Sequence, residues 1–174
     1  MSRWTKIEDD LIVSVHDRVV GAEVAELGER LETLGSPDDR MWLTRLVGPL
    51  VLDQGLVPGS KGGHAFGVVP YQVVEHDTGF RVRFSFVGFV LDGWHEFSLS
   101  TVDENHTRVT HRLEAKATKA ARLAMAVWLG SSHDAVIEDI FDNLQRQYGT
   151  QPDYPVKVPM VLRLATKLTD KRQP

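Results

Sequence analysis

The apolar positions of this chain fall into period-two and helical stretches in a clear order. Leu11 to Val20 alternates strictly, with Leu11, Val13, Val15 and Val19 on one face and Ile12, Ser14, His16 and Arg18 on the other, which predicts a half-buried strand. Gly21 ends it. Ala22 to Leu34 then places Val24, Leu27, Leu31 and Leu34 at helical spacing, interrupted by Gly28, and Gly35-Ser36-Pro37-Asp38-Asp39 stops the helix. Met41 to Pro58 is less regular, and Pro49 followed by Leu50-Val51-Leu52 reads as a short edge strand. Gly55 to Gly67 carries five glycines and reads as a loop, with His64 as an exposed residue on it.

Antiparallel patterning follows. Val68 to His76 is a strand, Asp77-Thr78-Gly79 a tight turn, and Phe80 to Val90 a second strand in which Val82, Phe84 and Phe86 alternate with Arg81, Arg83 and Ser85. Gly93–Val102 and His106–Thr118 form a hairpin across Asp103-Glu104-Asn105. Lys119 to Tyr148 has the period of a long helix whose buried side is marked by Leu123, Val127, Val136, Ile137, Ile140, Phe141 and Leu144. Gly130-Ser131-Ser132 marks a kink, or the end of one helix and the start of the next. Residues 1–150 make one domain; residues 151–174 are a proline-containing extension with a short helix at Met160–Leu168. The predicted class is α+β, a curved antiparallel sheet wrapped around a long C-terminal helix, with short helices after the first strand.

The patterning brings three histidines to one interior. Alternation puts His95 on the face of Phe97 and Leu99, and His111 on the face of Val109 and Leu113; helical periodicity lays His133 over them. As neutral imidazoles they could bond a ligand carbonyl or hydroxyl, or one could act as general base. The plainer account makes each a structural histidine held by a backbone carbonyl or by an acid such as Asp134 or Glu138. Those two acids and Asp139 are themselves accounted for by the dipole at a helix start, with Ser131 or Ser132 as N-cap. The histidines come from separate elements without short paired spacing, so no metal is assigned. Arg81, Arg83, Arg108 and Arg112 fall on the outer sheet face with Glu96, Glu114 and Trp94, a pattern of paired surface charge.

Composition narrows the classes. With 174 residues and 42% hydrophobic positions the chain can bury a core without staples. It has no cysteine, hence no disulfide, no thiolate nucleophile and no Cys-type zinc site. A net charge of -4 without a basic block argues against nucleic acid as partner. The polar start of the chain is unlike a signal peptide and no run is long enough for a bilayer, so the expectation is a cytoplasmic protein without stable membrane insertion. No phosphate loop, dinucleotide fingerprint or Ser-His-Asp order is present, and no cofactor is expected.

The element order and particular residues resemble the helix-grip superfamily called START-like or SRPBCC, which includes polyketide cyclase/dehydrase-type and lipid-transfer-type domains. The matching positions are Pro49-Leu50-Val51-Leu52-Asp53 and Gly59-Ser60-Lys61-Gly62-Gly63-His64 ahead of Tyr71 and Val73, then Gly93-Trp94-His95-Glu96-Phe97, Thr107-Arg108-Val109-Thr110-His111 and His133-Asp134-Ala135-Val136-Ile137-Glu138-Asp139. The resemblance runs over residues 11–148. It implies a deep, mostly apolar cavity between sheet and helix, and a small hydrophobic ligand such as a lipid or polyketide. On that reading Tyr71, Phe84, Phe86, His95, Phe97, His111, Trp128, His133 and Ile137 form the ligand-binding wall. Non-enzymatic binding is favoured. The alternatives are a cyclase or dehydratase-like enzyme with His95, His111 or His133 as acid/base, and a protein-interaction domain; a homodimer is left open. The fold does not choose among these.

Overall fold

The computed structural model describes residues 4–64, 68–126, 130–152, 155–160 and 162. Its strands are β1 (Thr5–Glu8), β2 (Leu11–Val20), β3 (Val51–Leu52), β4 (Lys61–His64), β5 (Val69–Asp77), β6 (Arg81–Phe86), β7 (Leu91–Asp103) and β8 (His106–Ala117); its helices are α1 (Val24–Leu31), α2 (Lys119–Ala124) and α3 (Gly130–Gln147). The strands form one antiparallel sheet of eight in the order β1-β2-β8-β7-β6-β5-β4-β3. Register shifts at Val73/Glu75 and Thr101/Asp103 fit the bending of a sheet that curves around a helix. This is an α+β, helix-grip arrangement.

Alternation decides which residues meet α3. Val73, Val82, Phe84, Phe97, Leu99 and Val109 from the sheet share one apolar cluster with Val136, Ile137, Ile140, Phe141 and Leu144 from the helix. A second, smaller cluster joins Ile12, Leu91, Leu113, Ala115 and Ala117 to Ala121 and Met125 beside α2. Thr118 starts α2 by accepting a hydrogen bond from the Ala121 amide, the usual device for an orphan N–H.

Four expectations change. The strand β1 and the strand β4 went unseen, because each is four residues long and one is built from Lys61-Gly62-Gly63-His64, a poor strand former. His64 is accordingly not exposed: it lies half-buried between Trp42 and Tyr71, with ring centroids 5.1 and 5.4 Å away. The inner face of β2 is the less apolar one. Ile12, Ser14, His16 and Val20 are buried, whereas Val15 faces out. The helix after β2 is shorter than its pattern, ending at Leu31. Gly28 within it is required by contact: a Cβ there would lie 2.7 Å from the carbonyl oxygen of Gly79, whose own φ of +75° makes the β5–β6 turn.

The chain after α3 returns to the domain. The amide of Val156 donates to Asp142 Oδ2 (2.8 Å), Val156 and Val158 pack against the large cluster, and Leu162 is buried in it. Val127, Trp128 and most of the expected Met160–Leu168 helix lie outside the described residues. No described helix is long and apolar enough to cross a membrane.

Candidate functional site

A polar band crosses the inner sheet face between the two apolar clusters. Register builds it. His16 on β2 is directly opposite His111 on β8, His111 is opposite Phe97 on β7, and His95 on β7 is opposite Phe84 on β6. Directly paired residues in an antiparallel sheet point to the same side, so one inward histidine carries its partner inward too. The structure therefore brings together His95, His111 and His133, as the patterning implied, and adds His16: His111 and His133 rings are 5.3 Å apart, His16 and His133 5.8 Å, His95 and His111 5.5 Å.

The two ends of the band differ chemically. At one end His95 lies against Tyr71 (4.2 Å between centroids), stacks on Phe84 (5.0 Å) and touches Phe86 (5.5 Å), while Phe97 meets His111 edge-on (4.8 Å). His111 Nε2 and His95 Nδ1 are 3.4 Å apart, a long imidazole–imidazole hydrogen bond. His95 Nε2 and His111 Nδ1 are buried and have no hydrogen-bond partner among the described residues. Burial, reinforced by the neighbouring histidines, holds both rings well below the ordinary histidine pKa, and both are neutral.

At the other end the histidine is His16, and its surroundings favour the charged form. Its Nδ1 donates to Glu138 Oε1 (2.8 Å) and its Nε2 to Asp134 Oδ1 (3.2 Å). Two carboxylate acceptors on one ring need both nitrogens protonated. Burial, the largest single influence, pulls the His16 pKa down; the hydrogen bonds and charges of Asp134 and Glu138 together outweigh it and leave the value raised. Trp4 stacks on the ring at 5.1 Å. Beside it, Arg18 donates to Glu138 Oε2 (2.5 Å), Asp142 Oδ1 (3.1 Å) and Gln145 Oε1 (2.9 Å). Asp134, Glu138 and Asp142 follow one another at i, i+4 and i+8, a single ladder along α3 facing His16 and Arg18 of β2. With His133 half-buried above them, these groups make a charged layer inside the fold.

A cavity of about 870 Å³ borders that layer. Trp4, Ile7, Met125 and Val156 supply apolar wall; Arg18, Asp134 and Glu138 supply charge. It lies between β1 and β2, the start of α3 and the chain around Pro155–Pro159. None of the described residues named for the ligand wall (Tyr71, Phe84, Phe86, His95, Phe97, His111, His133, Ile137) lines this particular space. They pack on one another and on α3 behind it. Trp128 lies outside the described residues.

His16, Arg18 and Asp142 were missed as site residues. The local pattern of β2 favours the opposite face, and only pairing with His111 shows which way His16 points. The acid ladder had a signal in its spacing. A helix dipole acts within the first turn, so it explains neither Glu138 nor Asp142 in a helix that begins at Gly130. On the outer face the expected pairing is present: Arg83 bonds Glu96 and Glu75, Arg112 bonds Glu114, and the Arg83 guanidinium lies 4.2 Å from the Trp94 ring centroid.

No protein-family model and no curated protein sequence matches the chain. Solved structures do. A solution structure from Thermobifida fusca aligns with a TM-score of 0.60 at 13% identity, over 77% of this chain and 93% of that one. A point mutant of norcoclaurine synthase from Thalictrum flavum, in complex with a transition-state analogue, aligns at 0.60 and 9% identity, over 83% of this chain and all of its own. CalU16 from Micromonospora echinospora aligns at 0.53 and 13%, over 83% and 92%. Likeness at such identities establishes the fold alone: an antiparallel sheet curved around a long C-terminal helix, the architecture inferred from the residues.

Proposed function

We propose that this protein binds or carries a small, mainly apolar molecule with one polar group, a lipid, polyketide or similar compound, in the cavity beside α3. One observation carries the reading: the wall of that cavity joins apolar Trp4, Ile7, Met125 and Val156 to charged Arg18, Asp134 and Glu138. Its volume falls in the range of small-molecule sites. The apolar wall would supply affinity at about 25 cal/mol per Å² buried, less the cost of association, and the charged groups would fix orientation. The norcoclaurine synthase complex supports the reading by analogy, since that protein holds a small molecule on the same fold.

A second reading, a cyclase or dehydratase-like enzyme, has one observation in its favour. His133 is held below the ordinary histidine pKa by burial, which outweighs the pull of nearby Asp134, whose Oδ1 is 3.8 Å from the buried His133 Nδ1. A neutral imidazole is the form a general base requires. Turnover of a bound carbonyl compound, lost in His133→Ala with binding retained, would favour this reading over simple carriage.

The test of the first reading is native mass spectrometry of the protein as purified, then titration with fatty acids, sterols and aromatic polyketides. One equivalent of a defined mass is expected. Ser131 is exposed and lines the cavity, so Ser131→Trp should block uptake without disturbing the core. Failure of the whole panel to bind, or uptake unchanged in Ser131→Trp, counts against the proposal.

A further inference from the structure

We propose that His16, His133 and Asp134 form a binding site for one divalent transition-metal ion beside the cavity, whose wall Asp134 shares. The inference does not depend on the hydrophobic-ligand reading. One ligand atom from each of the three residues lies within 4.8 Å of the other two. Asp134 Oδ1 is 3.2 Å from His16 Nε2 and 3.8 Å from His133 Nδ1. A four-coordinate ion with bonds of about 2.0–2.2 Å sets neighbouring donor atoms roughly 3.3–3.5 Å apart. The two spacings to Asp134 bracket that edge and the third is at most 4.8 Å, so rotations that bring the two imidazoles together close the site.

Three features set this group apart from an ordinary cluster of polar residues. First, the Nδ1 of His133 is buried without a hydrogen-bond partner among the described residues, and it is this atom that faces Asp134. Second, His16 is already held as a metal-binding histidine is held. Its Nδ1 is bonded to Glu138, which orients the ring and leaves Nε2 for the ion. Third, the charge fits. Asp134, Glu138 and Asp142 carry three negative charges against those of Arg18 and the more exposed Arg146, so with His16 neutral the layer keeps a net negative charge that a cation offsets. In the metal-free protein a proton on His16 Nε2 meets part of that demand; the ion replaces it. Two imidazole nitrogens and one carboxylate favour zinc, cobalt, nickel or iron over magnesium or calcium. Asp134 borders the cavity, which gives the ion access and leaves a coordination position for water or ligand.

The experiment is calorimetric titration of the chelator-treated full chain with Zn²⁺, repeated with Co²⁺ for its absorption spectrum. One equivalent per chain is expected with micromolar or tighter affinity, together with a visible Co²⁺ band of a low-symmetry nitrogen–oxygen site. His133→Ala should weaken binding at least 100-fold, and Glu138→Gln about 10- to 100-fold through the orientation of His16. The double variant His76→Gln/His106→Gln removes two outlying histidines and should bind as the parent does. The His133 side chain is partly exposed whereas that of His16 is fully buried, so His133→Ala is the variant used, and circular dichroism checks that it is folded. No stoichiometric binding, or binding unchanged in His133→Ala, overturns the site. Loss of binding in the His76/His106 double variant also overturns it, by placing the ion elsewhere.

Discussion

The two ends of the inner histidine band occupy the same sheet face within a few ångströms of each other and behave as opposite solvents. At the aromatic end, Tyr71, Phe84, Phe86 and Phe97 surround His95 and His111 and offer them no anion. At the acid end, Asp134 and Glu138 take both nitrogens of His16. The same side chain is therefore held neutral in one place and drawn toward its charged form in the other. The difference is set by the helix above, since α3 presents Ile137 and Phe141 to part of the sheet and Asp134, Glu138 and Asp142 to the rest. Burying charge is not a route to stability: desolvation offsets most of the attraction, and well-packed apolar groups often do as well. Five charged groups gathered beside a cavity are therefore weakly explained by stability alone, and the acid end carries both proposals above.

The hardest way to break this contrast is to remove one acid. Glu138→Leu strips His16 and Arg18 of their shared partner while both remain inside. A loss of about 3–5 kcal/mol is expected in urea denaturation, because His16 and Arg18 each lose one carboxylate while staying inside, with only Asp134 and Asp142 left to pair them. A loss below about 1 kcal/mol would mean that these groups are solvated and that the acid end is not a buried layer at all. The metal-free protein should be used, so that any ion at His16 does not enter the comparison.

The contrast also has a pH signature, next in size. His64, His95 and His111 have folded pKa values below the unfolded value near 6.5, His64 at about 4, chiefly because burial disfavours their charged form. The unfolded chain therefore binds more protons than the folded one below about pH 6.5, and stability falls as pH drops from there. His16 has the opposite sign. Its raised value stabilises the fold fully below the unfolded pKa, and that contribution is lost as pH rises through the folded value above 6.5. The stability of the metal-free protein should peak near pH 6.5, with each such histidine contributing a slope of at most about 1.4 kcal/mol per pH unit on its own side. Denaturation midpoints from pH 4 to 9 check it. A monotonic profile would show that the two ends do not oppose each other.

A smaller effect sharpens the aromatic end. His95→Phe replaces an imidazole with an unpartnered nitrogen by a ring of similar shape among Tyr71, Phe84 and Phe86. The change removes the unpartnered Nε2 but also takes from His111 Nε2 its long, 3.4 Å bond, so the two effects offset and stability at pH 7 should stay level within about 1 kcal/mol. The acid limb of the pH profile should flatten in the same variant. A loss of 2 kcal/mol or more would show that His95 makes a bond essential to the core, and its place in the ligand wall would need another account.

Period and turn chemistry made much of this legible beforehand. The hairpin of β7 and β8 is long and alternates cleanly, so His95 and His111 could be aimed inward from their neighbours alone. The short edge strand at Val51–Leu52 and the Asp77–Gly79 turn carried their own local signals. What was hidden depends on partners far along the chain. His64 sits on a glycine-rich strand that exists because β5 pairs with it. His16 faces inward because His111 is opposite it, 95 positions away in the chain. Asp142 is inside because Arg18 meets it and the Val156 amide closes its other oxygen. No window of ten or fifteen residues contains these pairs.

The smallest predicted effect tests that last point directly, because β2 has its more apolar face outward. Val15 is 37% exposed, whereas Ser14 beside it is fully buried and accepts a hydrogen bond from the Thr5 hydroxyl. Val15→Thr should change stability by no more than about 0.5 kcal/mol, the usual range for a surface position away from special features. Ser14→Val should cost more, since it leaves a partner of the hydroxyl in the buried layer and adds volume next to Asp134. Apolar pattern alone gives the reverse order, with Val15 as core and Ser14 as surface. If Val15→Thr proves the more damaging of the two by urea denaturation, then β2 is turned over. His16 and Arg18 would then point to solvent, and the charged layer, the cavity wall and the metal site would fall together.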